Sequence, residues 1–394
     1  MSKTKPTLQA GKMPRVAVLV DTSTEWGRDL IRGITSYAQH HGPWQLQVEP
    51  RGRDNMLQLP SQWKGDGMIA RVSNPKIAAD LQSRHVPVIN ISGIELEGYS
   101  FPRVAIDYDA TAKLASEHFK ARGFQRFAYV GPLHYSYIEK HADAFQDQIG
   151  ADVATLERFH YIHESMGSEK WRKQRARIES WLQQLEKPIA VFAWGTSASC
   201  QLLDACWCMN IQVPDDVAVL AGAEDALIAQ TTVPPMSAVL NPSKQMGYRA
   251  AERLANLISG GSDSGTEDRI APIEIVTRQS TDILAIKDPE LSKAVRFLRE
   301  NVFTELTVAK VAASVPMSVR SLQVKFRDAF GHPPLAEIHR LRVARVKELL
   351  ASTDLPVASI AQATGFGTAA YMATMFRRQT GMTPLQFRLE TRLR

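Results

Sequence analysis

Leu306-Thr307-Val308-Ala309-Lys310-Val311-Ala312-Ala313-Ser314-Val315-Pro316-Met317-Ser318-Val319-Arg320-Ser321-Leu322-Gln323-Val324-Lys325-Phe326-Arg327-Asp328-Ala329-Phe330-Gly331 is the stretch on which the reading of this chain turns. Residues 307–314 place Val and Ala at helical spacing. Pro316 cannot continue that helix. Ser318 then supplies a hydroxyl that can accept a free N–H of a new first turn. In the second helix Leu322, Phe326 and Phe330 recur at i, i+4 and i+8 and face inward, while Arg320, Gln323, Val324 and Arg327 point elsewhere. Gly331 is the residue expected just past a helix end.

The plan repeats about fifty residues on. Residues 357–364 form a short helix, Gly365-Phe366-Gly367 a turn, Thr368 a cap and residues 369–380 a second helix with Met372, Met375 and Phe376 inward. Between the two helix–turn–helix patterns, residues 334–352 read as one helix, about 28 Å long at 1.5 Å per residue. Such a spacer can hold two recognition helices about one turn of DNA apart on one face of a duplex.

Charge supports this reading. The 394-residue chain has a formal net charge of +6. Residues 288–394 hold 16 Lys and Arg against 9 Asp and Glu; the remainder holds 31 against 32. The basic excess therefore sits with the helix–turn–helix patterns, as phosphate neutralisation requires. The three cysteines, Cys200, Cys206 and Cys208, share one expected helix without a nearby histidine, which fits small buried thiols better than a disulfide framework or a zinc site. No metal, cofactor or catalytic residue is expected. Residues 1–13 read as a disordered tail without the apolar segment of a signal peptide, and no apolar run approaches membrane-spanning length, so a cytoplasmic protein without a membrane partner is expected.

Upstream, buried apolar runs alternate with amphipathic helices: strands at 15–20, 44–49, 67–70 and 87–91, helices at 26–41 and 76–83. After residues 104–109 and a helix at 110–122 the alternation resumes, with strands at 127–131, 189–194, 217–221 and 274–276 and helices near 138–148, 169–185, 197–209 and 245–258; residues 259–267 read as a Gly/Ser loop. Two successive doubly wound sheets imply two lobes around a cleft over residues 14–283, with lobe crossovers near 107, 241 and 272.

Two resemblances follow. Residues 288–394 resemble the DNA-binding domain of the AraC/XylS family, through Ala312-Ala313, Ser318, Leu322, Phe326, Gly331, Ile360-Ala361, Gly365-Phe366, Phe376-Arg377 and Gly381-Met382-Thr383-Pro384 with Phe387-Arg388. Residues 14–283 resemble the effector-binding domain of the LacI/PurR family, related to periplasmic sugar-binding proteins. The matching residues are Val104 with Asp107, His118-Phe119, Gly123-Phe124, Arg126 to Gly131, Val213 to Val219, and Gln245 to Tyr248 with Ala250-Ala251. The expected architecture is thus an α/β, type I periplasmic-binding-protein-like two-lobed sensor, then an all-α domain with helix–turn–helix motifs at about 307–330 and 357–380. This order is uncommon. It implies a homodimeric transcription activator that binds double-stranded operator half-sites, is governed by a small sugar such as xylose or a related pentose, and recruits RNA polymerase.

Effector contacts are expected in the loops after the strands: Asp21, Thr22 and Trp26, Asp107 at a crossover, Trp194 and Thr196, and Glu224 and Asp225. Carboxylates can accept from adjacent sugar hydroxyls and Trp faces cover C–H surfaces. Equally, Asp21 has the residue type of a helix cap, Asp107 that of a structural hinge, and both Trp could be packing aromatics. Relatives carry a carboxylate in each of the two late loops; those positions align with Thr196 and Ala223 here, which leaves the identity of the sugar open.

The family's base-reading positions fall on Arg320, Gln323 and Val324 in the first recognition helix, flanked by Ser318, Ser321 and Lys325. In the second they fall on Ala369, Ala370, Ala373 and Thr374 beside Thr368. Arg320 suits guanine and Gln323 adenine, whereas alanines offer at most a touch on a thymine methyl. Direct readout is therefore expected mainly from the first motif, with Arg377 and Arg378 anchoring the second on phosphates. An enzymatic reading of Gly195-Thr196-Ser197-Ala198-Ser199 as a nucleophile elbow lacks a partner: no His lies between His163 and His332.

Overall fold

A computed structural model describes residues 13–48, 59–60, 62–133, 135–150, 156–161, 168–262, 267–282 and 288–392. Apart from Met13, the expected tail lies outside them, as do residues 263–266 of the expected Gly/Ser loop. Two compact units partition the chain, Met1–Ile283 and Leu284–Arg394.

The first lobe of unit one contains β1 (Arg15–Leu19), α1 (Glu25–His41), β2 (Gln45–Val48), β3 (Gly67–Ala70), α2 (Pro75–Ser83) and β4 (Val88–Asn90). Its sheet is parallel, in the order β2-β1-β3-β4. Both faces are covered: Val16 and Val18 pack with Leu30 and Ile34 of α1, while Ala17 and Leu19 pack with Ile77 and Leu81 of α2. That double burial is why β1 reads as a continuous apolar run. β5 (Val104–Ile106) then leads to the second lobe.

The second lobe holds α3 (Tyr108–Lys120), β6 (Phe127–Pro132), α4 (Ser136–Ile149), β7 (Glu157–Tyr161), α5 (Ser168–Gln184), β8 (Ile189–Ala193), α6 (Thr196–Cys208), β9 (Val217–Ala221), α7 (Ala226–Thr231) and β10 (Ser237–Leu240). The chain returns to the first lobe through α8 (Ser243–Ile258), which packs on α1 so closely that a Cβ on Gly33 would lie 1.9 Å from the Lys244 carbonyl oxygen. β11 (Asp268–Ile270) pairs with β5, and β12 (Glu274–Val276) joins the second sheet, whose order is β12-β10-β9-β8-β6-β7. Only β12 is antiparallel to its neighbour in that sheet. Of the cysteines, Cys206 is buried as expected, but Cys208 is exposed at the end of α6.

Unit two is helical among its described residues: α9 (Pro289–Asn301), α10 (Val308–Ala313), α11 (Val319–Phe330), α12 (Pro334–Ser352), α13 (Val357–Ala363), α14 (Ala369–Thr380) and α15 (Pro384–Arg392). The matching caps are built as their residue types require. Ser318 Oγ accepts the Ser321 N–H at 3.2 Å and Thr368 Oγ1 the Tyr371 N–H at 3.3 Å. Gly331 and Gly381 close α11 and α14 at φ 72° and 78°. Leu322 and Phe326 are buried, with Phe330 stacked on Phe326; Met372, Met375 and Phe376 fill the second motif with Ile360 and Phe366.

Candidate effector cleft and nucleic-acid interface

In an open parallel sheet the loops at the strand carboxyl ends form the ligand crevice. Here those loops from the two lobes meet. Thr24, rather than Asp21, caps α1, accepting the Gly27 N–H at 3.2 Å. Asp21 is buried and its Oδ1 accepts from the Ser23 N–H and hydroxyl at 2.9 and 2.6 Å. Thr22 gives its carbonyl to Arg28, and Trp26 packs on the first lobe's core. Across the cleft, Asp225 caps α7, accepting the Ile228 N–H at 3.3 Å. Its other oxygen accepts the N–H of Glu25, and the Glu25 carboxylate accepts the Ala226 N–H in return.

Several expected effector residues spend hydrogen-bonding capacity on the fold. Asp107 caps α3, accepting the Ala110 N–H at 2.9 Å, and its own N–H donates to Ile270. Thr196 donates its hydroxyl to the Ala223 carbonyl at 2.9 Å. Glu224 is paired with Arg278; the two side chains are only 7% and 14% exposed, and the same guanidinium donates to the Met236 carbonyl.

Trp194 lies at the mouth of the second lobe among rings that the sequence reading did not include. Its ring is 5.0 Å from Tyr137, 5.0 Å from His141 and 6.0 Å from Tyr108. Tyr108 opens α3 and touches the first lobe: a Cβ on Gly93, just past β4, would stand 2.1 Å from its hydroxyl. Burial pushes the Tyr108 phenol up from its ordinary range. His141 is 2% exposed, its Nδ1 is 2.9 Å from the Tyr129 hydroxyl, and burial holds its pKa down to about 3, so its ring is neutral. At the cleft rim Lys140 of the second lobe bonds Glu95 of the first at 2.7 Å, and this bond holds the Glu95 carboxyl below its usual range. Tyr108 was legible as the neighbour of the capping residue Asp107; His141 carried no local signal, because only the fold brings α4 to Trp194.

In unit two, Arg320, Gln323 and Val324 are all exposed on α11, as base readers must be. Ser321 is half-buried and Ser318 is committed to its cap. Lys325 turns to the start of α9, where its ammonium bonds Asp288 and draws that carboxyl down. On α14, Ala370, Thr374, Arg377 and Arg378 are exposed, Ala369 and Ala373 are half-buried, and the Thr374 hydroxyl folds back onto the Ala370 carbonyl at 3.0 Å. Tyr371, 45% exposed on the same helix, was not read from the sequence; its hydroxyl lies 3.0 Å from His339 Nε2 of α12. Arg342, also on α12, is buried and donates to the Val302 and Thr304 carbonyls at 2.7 and 2.8 Å while lying over Phe366. The long helix thereby ties the turn of the second motif to the end of α9, rather than acting as a bare spacer.

A two-lobed binding domain joined to a tandem helix–turn–helix unit defines the chain as a DNA-binding transcription regulator with a ligand-responsive type of sensor. Comparison with known proteins agrees. Residues 15–114 match the XylR N-terminal domain, 116–281 a periplasmic binding protein-like domain and 291–390 a helix-turn-helix domain. Together these three matches span most of the chain, in the order of a sensor followed by a helix-turn-helix domain. It is 27% identical over 390 residues to a xylose operon regulatory protein of Haemophilus influenzae, covering 95% of this chain and 98% of that one. The corresponding protein of Escherichia coli K12 is 25% identical over 383 residues, covering 96% and 97%. Among solved structures, the xylose-binding transcription activator XylR shares the fold at 24% identity with a TM-score of 0.75, covering 97% of this chain and 99% of that one. A LacI family regulator from Mycobacterium smegmatis matches 68% of this chain and 99% of its own, at 17% identity and a TM-score of 0.56.

Proposed function

We propose that a small sugar, xylose or a related pentose, binds between the lobes of unit one and switches unit two into productive contact with operator half-sites. The carrying observation is the Tyr108, His141 and Trp194 cluster, which sets aromatic faces and neutral polar groups at the strand carboxyl ends where the lobes meet. Trp faces suit the C–H surface of a sugar, and the relatives are named as regulators of a xylose operon. Because the late-loop positions expected to carry carboxylates hold Thr196 and Ala223, a pentose other than xylose fits the reading equally.

Ligand draws the lobes together, and closure changes how two sensor units pair in a homodimer. The paired DNA-binding units then take the spacing that their half-sites require, and RNA polymerase is recruited from that position. Arg320, Gln323 and Val324 read bases, and Arg377 and Arg378 hold phosphates. With DNA as its partner the chain works in the cytoplasm, and it acts by binding rather than catalysis. A thermal-shift panel of pentoses, hexoses and polyols against the full chain tests the proposal. At least one sugar should raise the melting temperature in a concentration-dependent way; a flat response to all of them contradicts the reading.

A further inference from the structure

Three cations lie on α11, Arg320, Lys325 and Arg327, and they are not used alike. Arg320 and Arg327 are exposed, and their side chains form no hydrogen bond or ion pair with a described residue. Lys325 Nζ instead lies 2.5 Å from Asp288 Oδ2. The other oxygen of Asp288 caps α9, accepting the Glu290 and Leu291 N–H groups at 3.0 and 3.1 Å. The carboxylate is thus fixed by the helix it opens, and the lysine is the partner that comes to it. The two side chains are 43% and 32% exposed, and at such exposure an ion pair is weak and exchanges readily for another anion. Asp288 is also the first described residue of unit two, where the chain arriving from unit one enters α9. The competing carboxylate therefore stands at the covalent connection between sensor and DNA-binding unit.

Helical spacing shows what Lys325 gives up. Arg320, Gln323, Val324 and Arg327 fall in one exposed arc, and Lys325 emerges at its margin, about 100° round the helix from Val324. When such an arc enters a major groove, side chains at its margins meet the phosphate strands that wall the groove. A lysine ammonium on its flexible stem suits a phosphate as a point charge. We infer that Asp288 is an autoinhibitory competitor of DNA: it holds Lys325 against the start of α9, and the first motif binds at full strength only when that ammonium is exchanged onto a phosphate. While the pair is kept, the chain neutralises one phosphate fewer than the charge of α11 allows, and a carboxylate stays beside the duplex. The inference uses DNA binding by unit two and not the sugar reading, so a sugar panel without a hit would leave it standing.

Fluorescence anisotropy of the full chain decides the matter, on operator DNA selected from a random pool and on random-sequence DNA, each over a range of salt. The proteins compared are wild type, Asp288→Asn, Asp288→Ser, Lys325→Gln and the double variant Asp288→Asn with Lys325→Gln. Asn and Ser both keep an oxygen for the α9 cap, so either removes the charge without removing the helix start, and one serves if the other does not fold. Both Asp288 variants should bind the two DNAs about threefold tighter or more, and the slope of log affinity against log salt should steepen by about 0.9, the equivalent of one phosphate. Lys325→Gln alone should change affinity by less than about twofold, yet it should abolish the gain in the Asp288→Asn background. Unchanged affinity and slope in the folded Asp288 variants overturn the inference. So does a gain that survives Lys325→Gln, because it would come from loss of the carboxylate's own charge and not from a released lysine.

Discussion

Glu25 and Asp225 cap each other's helices across the cleft: Asp225 Oδ2 accepts the Glu25 N–H at 3.4 Å, and the Glu25 carboxylate accepts the Ala226 N–H that opens α7. The two residues stand 200 positions apart, one after β1 in the first lobe and the other after β9 in the second. Each first-turn donor needs an acceptor, and here the opposite lobe provides it. Together with Lys140 and Glu95, the pair links the lobes at two places in this arrangement.

Glu25→Ala should therefore favour separated lobes and weaken effector binding. A lost cap costs about 0.5–2 kcal/mol, which is roughly 2- to 30-fold in affinity if only the closed form binds. Glu25→Gln, which keeps an acceptor oxygen, should lose less. Calorimetry with the stabilising sugar checks both; an alanine variant that binds as tightly as wild type removes the latch from the account.

Arg320 is exposed on α11 and forms no hydrogen bond or ion pair with a described residue, while the matching face of α14 is alanine and threonine. Arg320→Ala should cost about 1–3 kcal/mol on selected operator DNA and much less on random DNA. Arg377→Ala should weaken both nearly equally and flatten the salt dependence. Fluorescence anisotropy on the two DNAs separates the roles, and an equal loss for Arg320→Ala on both would remove it as a base reader.

His118 and His141 are both held near pKa 3 by burial, against 6.5 for the ordinary side chain. Unfolding frees them to take protons below pH 6.5, so the unfolded state binds more protons and stability falls as pH falls through that window. Each histidine should withdraw about 2 kcal/mol between pH 6.5 and 5. In denaturant titrations of the sensor transition at both pH values, His118→Gln should show the smaller loss. A wild-type stability that does not change over this range would contradict the buried neutral state.

Gly365 and Gly381 both sit at positive φ, but their surroundings differ. A Cβ on Gly365 would lie 2.9 Å from backbone atoms of Phe303 and Thr304; on Gly381 it would meet open space. Gly381→Ala should cost only the backbone term of about 1 kcal/mol, whereas Gly365→Ala must also displace the end of α9 and should cost several times more. Thermal melts of the two variants make the comparison, and equal melting points would show that the turn does not pack on residues 303–304.

Much of the fold was legible because local signals and tertiary demands coincide. Double burial made β1, β8 and β9 continuous apolar runs, and Ser318, Gly331, Thr368 and Gly381 punctuate helices as their chemistry requires. Edge strands were less visible: Glu157-Arg158-Phe159-His160-Tyr161 of β7 and Asp268-Arg269-Ile270 of β11 mix charge with apolar residues. The cleft was harder still. The carboxylates chosen as effector candidates also serve in caps and ion pairs that the sequence does not show, because partners such as Arg278 for Glu224 and Glu25 for Asp225 lie 54 and 200 positions away. His141 meets Trp194 and the Gly222 loop only once β6, β8 and β9 set α4 beside them. Lys325 faced a rival no local pattern shows, the carboxylate of Asp288 at the start of α9.

The central claim is that occupancy of the cleft in unit one governs DNA binding by unit two. Its most direct test is the affinity of the full chain for operator DNA, selected from a random pool in the presence of the stabilising sugar, measured with and without that sugar. The account predicts at least a fivefold tighter complex with the sugar, in line with couplings of about 1–3 kcal/mol. Equal affinity with and without a sugar that demonstrably binds would contradict it.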